Sequence, residues 1–196
     1  MPDSADLACY DHELVLPLGW FMHGDGPQSR WFFYADGRPG PSPQRTRALW
    51  RMLAEHAGHD VRLLGEETDW AEAYDFPRLP DVGGLGDIAF EQYLDGWPRS
   101  RSAPVTGPDL RPVSLVSIED AVAMPLGLLD AAGAPDERYL VQPDGSPSEG
   151  VPLLTRAVWR MLATHVYRDV RLVLDVPSGF ERLDEHFGVE AWPDAD

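Results

Sequence analysis

The chain has 196 residues, with 33 acidic against 16 basic side chains, and its formal net charge at pH 7 is -17. Proteins bind nucleic acids and anionic membrane surfaces largely through Lys and Arg that neutralise phosphates, so this charge balance argues against DNA, RNA and such membranes as direct partners. Every basic residue is arginine, which excludes a Schiff-base lysine, a P-loop lysine and a Ser–Lys pair.

The cysteine content and the amino terminus point to a cellular compartment. Cys9 is the only cysteine, which excludes an internal disulfide and any zinc site with several cysteines, and suits a reducing compartment. The first residues are acidic where a signal peptide would be basic, and no apolar run reaches membrane length. We therefore expect a cytoplasmic protein.

An internal repeat is the strongest feature of the sequence. The stretch from Arg47 to Leu63 recurs, with most residues kept, from Arg156 to Leu172. Upstream of the helix, a Pro-Leu-Gly segment, an arginine and an Asp-Gly pair also recur. The distance between the two copies of each is one residue shorter than the distance between the two copies of the helix. The repeat predicts a first copy over residues 5–98, a linker rich in Pro, Ser and Gly over 99–112, and a second copy over 113–196.

Both copies predict the same order of elements. A short apolar stretch is followed by two strands, a helix with a Pro near its first turn, a further strand and a second helix. In the first copy these are residues 7–10, 14–22, 30–34, the repeated helix, 60–64 and 88–94. In the second copy they are residues 115–118, 122–129, 138–142, the repeated helix, 169–174 and 178–187, where Ser178 to Glu181 resembles a capping box.

The repeated helix carries one apolar stripe, formed by Leu49, Met52, Leu53 and His56 in the first copy. Neither copy alone has a large core. We therefore predict an α+β fold of two tandem copies, each a roughly four-strand, two-helix unit, packed with pseudo-two-fold symmetry. Trp50 and Trp159 flank the stripe, and we expect them to pack at the boundary with the sheet or the other copy; the alternative is an exposed anchor for a partner.

The first copy has a long insertion over residues 66–86 that the second copy lacks. Loops of this length in compact domains are usually functional or disordered. Aromatic anchors surrounded by carboxylates suit contact with a basic protein surface, and the alternative is a solvated loop whose aromatics fold back on the core. The candidate partner-binding residues are Glu66, Glu67, Asp69, Trp70, Glu72, Tyr74, Asp75 and Phe76.

A metal site is the first chemical alternative. His56, His59 and Asp60 could place two imidazoles and a carboxylate near one cation. However, Gly58 is expected to end the helix between the two histidines, and the second copy has Tyr167 and Arg168 in this neighbourhood. We therefore expect His56 and His165 to cap the ends of their helices, and we predict no metal.

Catalytic and cofactor motifs are not found. The Gly-rich run over residues 83–87 resembles a phosphate loop, but no clear strand precedes it and we interpret it as a hinge. Asp184, Glu185 and His186 are neighbours on a predicted helix and cannot form a triad, and a lone Cys9 near the terminus is a poor nucleophile. We therefore predict no catalytic residue and no cofactor.

These observations favour a non-catalytic, acidic protein-binding module of the inhibitor, immunity or antitoxin type, which contacts a basic partner protein. A second hypothesis is a small-molecule-binding protein or accessory enzyme with its pocket between the two copies. A third is a structural component that assembles into a larger homo-oligomer, and a homodimer is also compatible with the sequence.

Overall fold

The computed structural model describes residues 3–21, 32–33, 40–65, 70–97, 110–130 and 138–187. The strands are β1 (Asp3–Cys9), β2 (Leu14–Phe21), β3 (Phe32–Phe33), β4 (Val61–Gly65), β5 (Arg111–Ser117), β6 (Val122–Asp130), β7 (Tyr139–Val141), β8 (Val170–Leu174) and β9 (Glu181–Arg182). The helices are α1 (Pro43–Glu55), α2 (Trp70–Ala73), α3 (Phe90–Tyr93) and α4 (Pro152–Thr164).

One continuous sheet passes through both parts of the chain. Its strand order is β3-β2-β1-β4-β8-β5-β6-β7, with antiparallel neighbours, and β9 pairs in parallel with β6. In the middle of the sheet β4 meets β8, where Arg62 lies opposite Arg171. The structure is therefore a mixed α/β fold with a mostly sheet core, which confirms the prediction at that level.

The two long helices form as the repeat predicted. Each has 13 residues and begins at a proline, whose missing N–H costs nothing in the first turn. Ser42 caps α1, because its Oγ accepts a hydrogen bond from Arg45 N at 3.1 Å. The predicted stripe of α1 is buried, with Leu49, Met52 and Leu53 each 0 % exposed, and both helices share one hydrophobic core with the sheet.

Helix α2, in the insertion, packs against a different cluster from the two long helices. Leu7 and Cys9 of β1 join the main core, whereas Ala8, which lies between them, belongs to a small cluster with Val15 and Leu64. Because side chains alternate along a strand, the small cluster lies on the opposite face of the sheet. Ala73 of α2 completes this cluster, so α2 lies over that face, whereas Leu79, further along the insertion, belongs to the main core.

The prediction of a second helix in the second half, over residues 178–187, is wrong. Residues 178–187 contain turns and the two-residue strand β9. Gly179 has a φ of 94°, which interrupts a right-handed helix, and the N–H groups of Glu181 and Leu183 donate to the carbonyls of Ala121 and Ala123 instead. A roughly four-strand, two-helix unit therefore does not describe this half over the residues that the structure describes, and in the first half the second helix is only the short α3.

Both repeated tryptophans are buried. Trp50 and Trp159 are each 2 % exposed, so neither is a surface anchor. Trp50 Nε1 donates to Thr155 Oγ1 of α4 at 3.1 Å, and the ring of Trp159 meets the ring of Phe32 edge-on at 5.5 Å. Trp50 thus packs against the other half of the chain, as predicted.

Two sequence predictions concern residues that are only partly described. The predicted linker over 99–112 lies mostly outside the described residues, and β5 begins at Arg111, inside its predicted end. No helix in the described parts of the chain combines the length and the apolar composition that a membrane span requires.

Candidate metal centre

Four side chains that could bind a metal ion lie close together: Cys9, His12, His56 and His59. The first two belong to the hairpin of β1 and β2. Cys9 is the last residue of β1 and is 0 % exposed, because its side chain faces the main core. His12 lies in the turn between β1 and β2 and is exposed. The hairpin therefore places a buried thiol beside an imidazole at the protein surface.

The other two side chains follow the end of α1. His56 is the C-cap residue of that helix and is 5 % exposed. Gly58 has a φ of 89°, which turns the chain so that His59 N donates to His56 O at 3.0 Å. The helix end that we expected to separate the two histidines instead keeps them together.

The four side chains meet in a small volume. Taking one donor atom from each of Cys9, His12, His56 and His59, all four atoms lie within 4.8 Å of one another. His12 Nδ1 is 3.1 Å from His56 Nδ1 and 3.7 Å from Cys9 Sγ, and the rings of His12 and His59 are 4.6 Å apart between centroids. Hydrogen bonds within the cluster account for some of these contacts, yet His59 Nδ1 is buried without a hydrogen-bond partner.

Burial sets the protonation of the cluster. The pKa of His56 is lowered to about 3, mainly by burial and in addition by the nearby His12 and His59 rings. Burial also lowers the pKa of His59 and raises the pKa of the Cys9 thiol. At neutral pH the His56 and His59 imidazoles are therefore neutral, which is the form that binds metals.

The corresponding positions in the second half hold a different set of residues. Counting along the repeat, the counterparts of the four residues are Ser117, Asp120, His165 and Arg168. Ser117 Oγ donates to Asp120 Oδ2 at 2.9 Å, and the same carboxylate lies 3.6 Å from His165 Nε2 and 3.5 Å from Arg168 Nε. His165 Nδ1 lies 2.9 Å from Met161 O, as expected of a helix cap. Here Asp120 contacts the other three residues, through a hydrogen bond with Ser117, an ion pair with Arg168 and the close approach to His165.

The sequence contained a signal for this cluster. Cys9 and His12 are separated by two residues, as are His56 and His59, and short spacings of this kind are typical of zinc ligands. The metal alternative raised in the sequence analysis combines only the second pair with Asp60. The carboxylate of Asp60 instead accepts hydrogen bonds from Arg62 at 2.6 Å and Arg171 at 2.7 Å.

The predicted partner-binding residues are partly described. Glu66, Glu67 and Asp69 lie outside the described residues, and Trp70 begins α2 without a described side chain. Glu72, Tyr74 and Asp75 are exposed, and the side chain of Tyr74 is 72 % exposed. Phe76 is half-buried and meets the Tyr10 ring edge-on at 5.5 Å.

Two cavities lie elsewhere, each within one half of the chain. A cavity of about 420 Å³ is lined by residues between 4 and 87, and one of about 480 Å³ by residues between 112 and 182. Neither of these two lies between the predicted copies, so they do not support a ligand site at that interface.

The first cavity contains a buried carboxyl group whose ionisation affects stability. Asp6 is 3 % exposed, and burial raises its pKa from 3.8 to about 6, although its ion pair with Arg78 at 3.0 Å opposes the change. Because the folded pKa exceeds the unfolded value, the stabilisation from Asp6 is complete below about pH 4 and is lost as the pH rises through 6. The loss is about 3 kcal/mol at most, since each pKa unit corresponds to 1.36 kcal/mol.

We predict that Asp6→Asn flattens the decrease in the free energy of unfolding between pH 4 and pH 7, measured relative to the unmodified chain by urea denaturation. Asp95→Asn, at an exposed position, is the control and keeps the original profile. Parallel profiles for Asp6→Asn and the unmodified chain would contradict the prediction.

Comparisons of the chain with protein-family models, curated proteins and solved structures give no match. The function is therefore argued from the residues and their geometry.

Proposed function

We propose that the chain is a non-catalytic binding protein that contacts a basic partner protein through Glu72, Tyr74 and Asp75, the acidic patch. The observation that carries this proposal is Tyr74, which is 72 % exposed between two exposed carboxylates. Tyrosine is enriched among the residues that dominate binding energy in protein interfaces, and carboxylates around it favour a cationic surface.

The surroundings of Tyr74 support this role because they hold the patch in place. Ala73 is 0 % exposed and packs with Ala8, Val15 and Leu64 on the sheet, and Phe76 packs against Tyr10. A preorganised aromatic loses less conformational entropy on binding than one on a free loop. Tyr74 is therefore held at the surface between the buried Ala73 and the half-buried Phe76.

The charge of the chain supports a cationic partner. A net charge of -17 repels nucleic acid and attracts basic proteins over a range set by the ionic strength. Binding by the acidic patch should therefore be fast at low salt and should weaken as salt is added. An inhibitor or immunity protein that covers a nucleic-acid-binding surface would have these properties.

The test is a pull-down with the immobilised full chain from the source lysate, with captured proteins identified by mass spectrometry. We expect a basic partner that is retained at about 0.1 M NaCl and released near 1 M, where the Debye length falls from about 10 Å to about 3 Å. Tyr74→Ala should weaken binding of the purified partner by about 30-fold, equivalent to about 2 kcal/mol, and Glu72→Gln/Asp75→Asn should weaken it and reduce its salt dependence.

Matched controls are Ile118→Ala for the exposed apolar side chain and Asp95→Asn/Glu181→Gln for the two charges, all at exposed positions outside the acidic patch. Each should bind like the unmodified chain. Capture that is insensitive to salt, or that persists unchanged in the acidic-patch variants, would contradict the proposal.

We further propose that the two halves are related copies that pair through β4 and β8 about an approximate two-fold axis. The paired residues Arg62 and Arg171 are equivalent in the repeat, as a local two-fold axis between antiparallel strands requires. The strand order is the same in each half when counted outward from β4 and β8. Register shifts occur at equivalent places in β1 and β5, and the equivalent glycines Gly19 and Gly127 have φ values of 133° and 137°.

A further inference from the structure

We propose that Cys9, His12, His56 and His59 bind one divalent transition-metal ion, with Zn²⁺ the ion that the donor set fits best, in a closed site that stabilises the fold. The proposal is independent of any partner of the acidic patch. It rests on the geometry of the four side chains and on the contrast with their counterparts in the second half.

The donor atoms suit zinc in kind and in spacing. One thiolate and three imidazoles are borderline ligands, which favour Zn²⁺ over Mg²⁺ or Ca²⁺. Zn–S bonds of about 2.3 Å and Zn–N bonds of about 2.0–2.1 Å place tetrahedral ligands roughly 3.3–3.7 Å apart. The distances from His12 Nδ1 to His56 Nδ1, 3.1 Å, and to Cys9 Sγ, 3.7 Å, lie close to this range.

The ordinary alternative is a cluster of histidines held only by hydrogen bonds. The second half shows how this fold satisfies the same place without a metal, because Asp120 accepts a hydrogen bond from Ser117, forms an ion pair with Arg168 and lies 3.6 Å from His165 Nε2. In the first half each charged or hydroxyl counterpart is replaced by a thiol or an imidazole, and His59 Nδ1 is buried without a hydrogen-bond partner. A bound metal ion would give this ring the partner that the hydrogen bonds of the cluster do not supply.

The local charges partly oppose and partly favour a cation. Arg138 and Arg51 are close enough to His56 to lower its pKa, and they repel a divalent ion. The thiolate formed on binding carries the compensating negative charge. In that step the Cys9 thiol releases its proton to solvent as the sulfur–metal bond forms, so the ion and the thiolate leave a net charge of +1 among neutral imidazoles.

The ligand set defines a structural role rather than a catalytic one. Four protein ligands fill a tetrahedral shell and leave no position for water or substrate. The ion would connect the turn between β1 and β2 to the end of α1, and so join the sheet to the helix that packs on it. The second half makes the equivalent connection through the contacts of Asp120 with His165 and Arg168.

The experiment uses the full chain without a histidine tag, titrated with Zn²⁺ by calorimetry and with Co²⁺ by absorption spectroscopy. We expect one metal ion per chain and, with Co²⁺, tetrahedral d–d bands together with a thiolate-to-cobalt charge-transfer band. Cys9→Ser should remove the charge-transfer band. His12→Ala, at an exposed position that a folded protein tolerates, should weaken Zn²⁺ binding by about 100-fold or more, because loss of an outer-shell partner alone costs 10–100-fold.

The matched control is His186→Ala, an exposed histidine outside the cluster, which should bind Zn²⁺ like the unmodified chain. Circular dichroism confirms that each variant is folded. Binding that survives unchanged in both Cys9→Ser and His12→Ala would assign the ion to surface carboxylates and overturn the proposal. Absence of binding by the folded, reduced chain would overturn it as well.

Discussion

Removal of the metal by a chelator is expected to lower the melting temperature of the full chain by about 8–16 °C. A ligand that binds only the folded state stabilises it by about 4 kcal/mol when its free concentration is about 1,000 times its dissociation constant. For a chain of this size, 1 kcal/mol corresponds to about 2–4 °C. The expected decrease follows from the four protein ligands, which come together only when β1, its turn and the end of α1 are folded.

The measurement is differential scanning calorimetry of the Zn²⁺-loaded chain with and without chelator, under reducing conditions that protect Cys9. His12→Ala is the control and should show little response to the chelator, because its affinity for the ion is already reduced. Added Zn²⁺ in excess of the chelator should restore the original melting temperature, whereas Mg²⁺ should not. Equal chelator responses of the unmodified chain and His12→Ala would count against a stabilising ion at this site.

The sequence predicts the local elements of the fold but not the cluster of Cys9, His12, His56 and His59. The two long helices and most strands were predictable, because the apolar period of three to four in Leu49, Met52 and Leu53, and the Pro and Gly residues at the boundaries, act locally. The contact between His12 and His56 spans 44 positions and depends on how the hairpin packs against the end of the helix. Each ligand pair alone is an unspecific motif, and only the fold brings the pairs together.

Two predictions failed for different physical reasons: in one a tertiary contact overrode a local pattern, and in the other a local ion pair took the place of a predicted contact between the halves. The segment around Phe180 had the spacing of a helix, yet its backbone pairs with β6 in the sheet. Because Arg47 and Arg51 are like charges at i and i+4 in an acidic chain, the sequence predicts that Arg51 pairs with a carboxylate of the other half. Arg51 pairs instead with Glu55 on its own helix at 2.7 Å and donates to the carbonyl of Tyr93. In both cases the hydrogen bonds that form, to the backbone of β6 and from the Arg51 side chain, are not encoded in the spacing of apolar residues.

Substitution of either repeated tryptophan by alanine is expected to lower the free energy of unfolding by about 3–5 kcal/mol, which corresponds to a decrease in melting temperature of about 6–20 °C. Trp50 and Trp159 are each 2 % exposed in the core that the two long helices share, so removal of either indole leaves a cavity. Trp50→Ala also removes the hydrogen bond to Thr155 across the two halves.

Trp50→Ala and Trp159→Ala together test the proposal that the two halves are related copies, in addition to the packing of each tryptophan. Related copies that share one interior place the two indoles in equivalent surroundings, so their costs in urea denaturation should differ by no more than about 1 kcal/mol, the contribution of one hydrogen bond. Leu85→Ala is the control, since a side chain that is 77 % exposed should change stability by no more than about 0.5 kcal/mol. A large cost at Trp50 with a negligible cost at Trp159, or the reverse, would show that one helix carries the interior alone. In that case the repeat would be a similarity of sequence without equivalent packing.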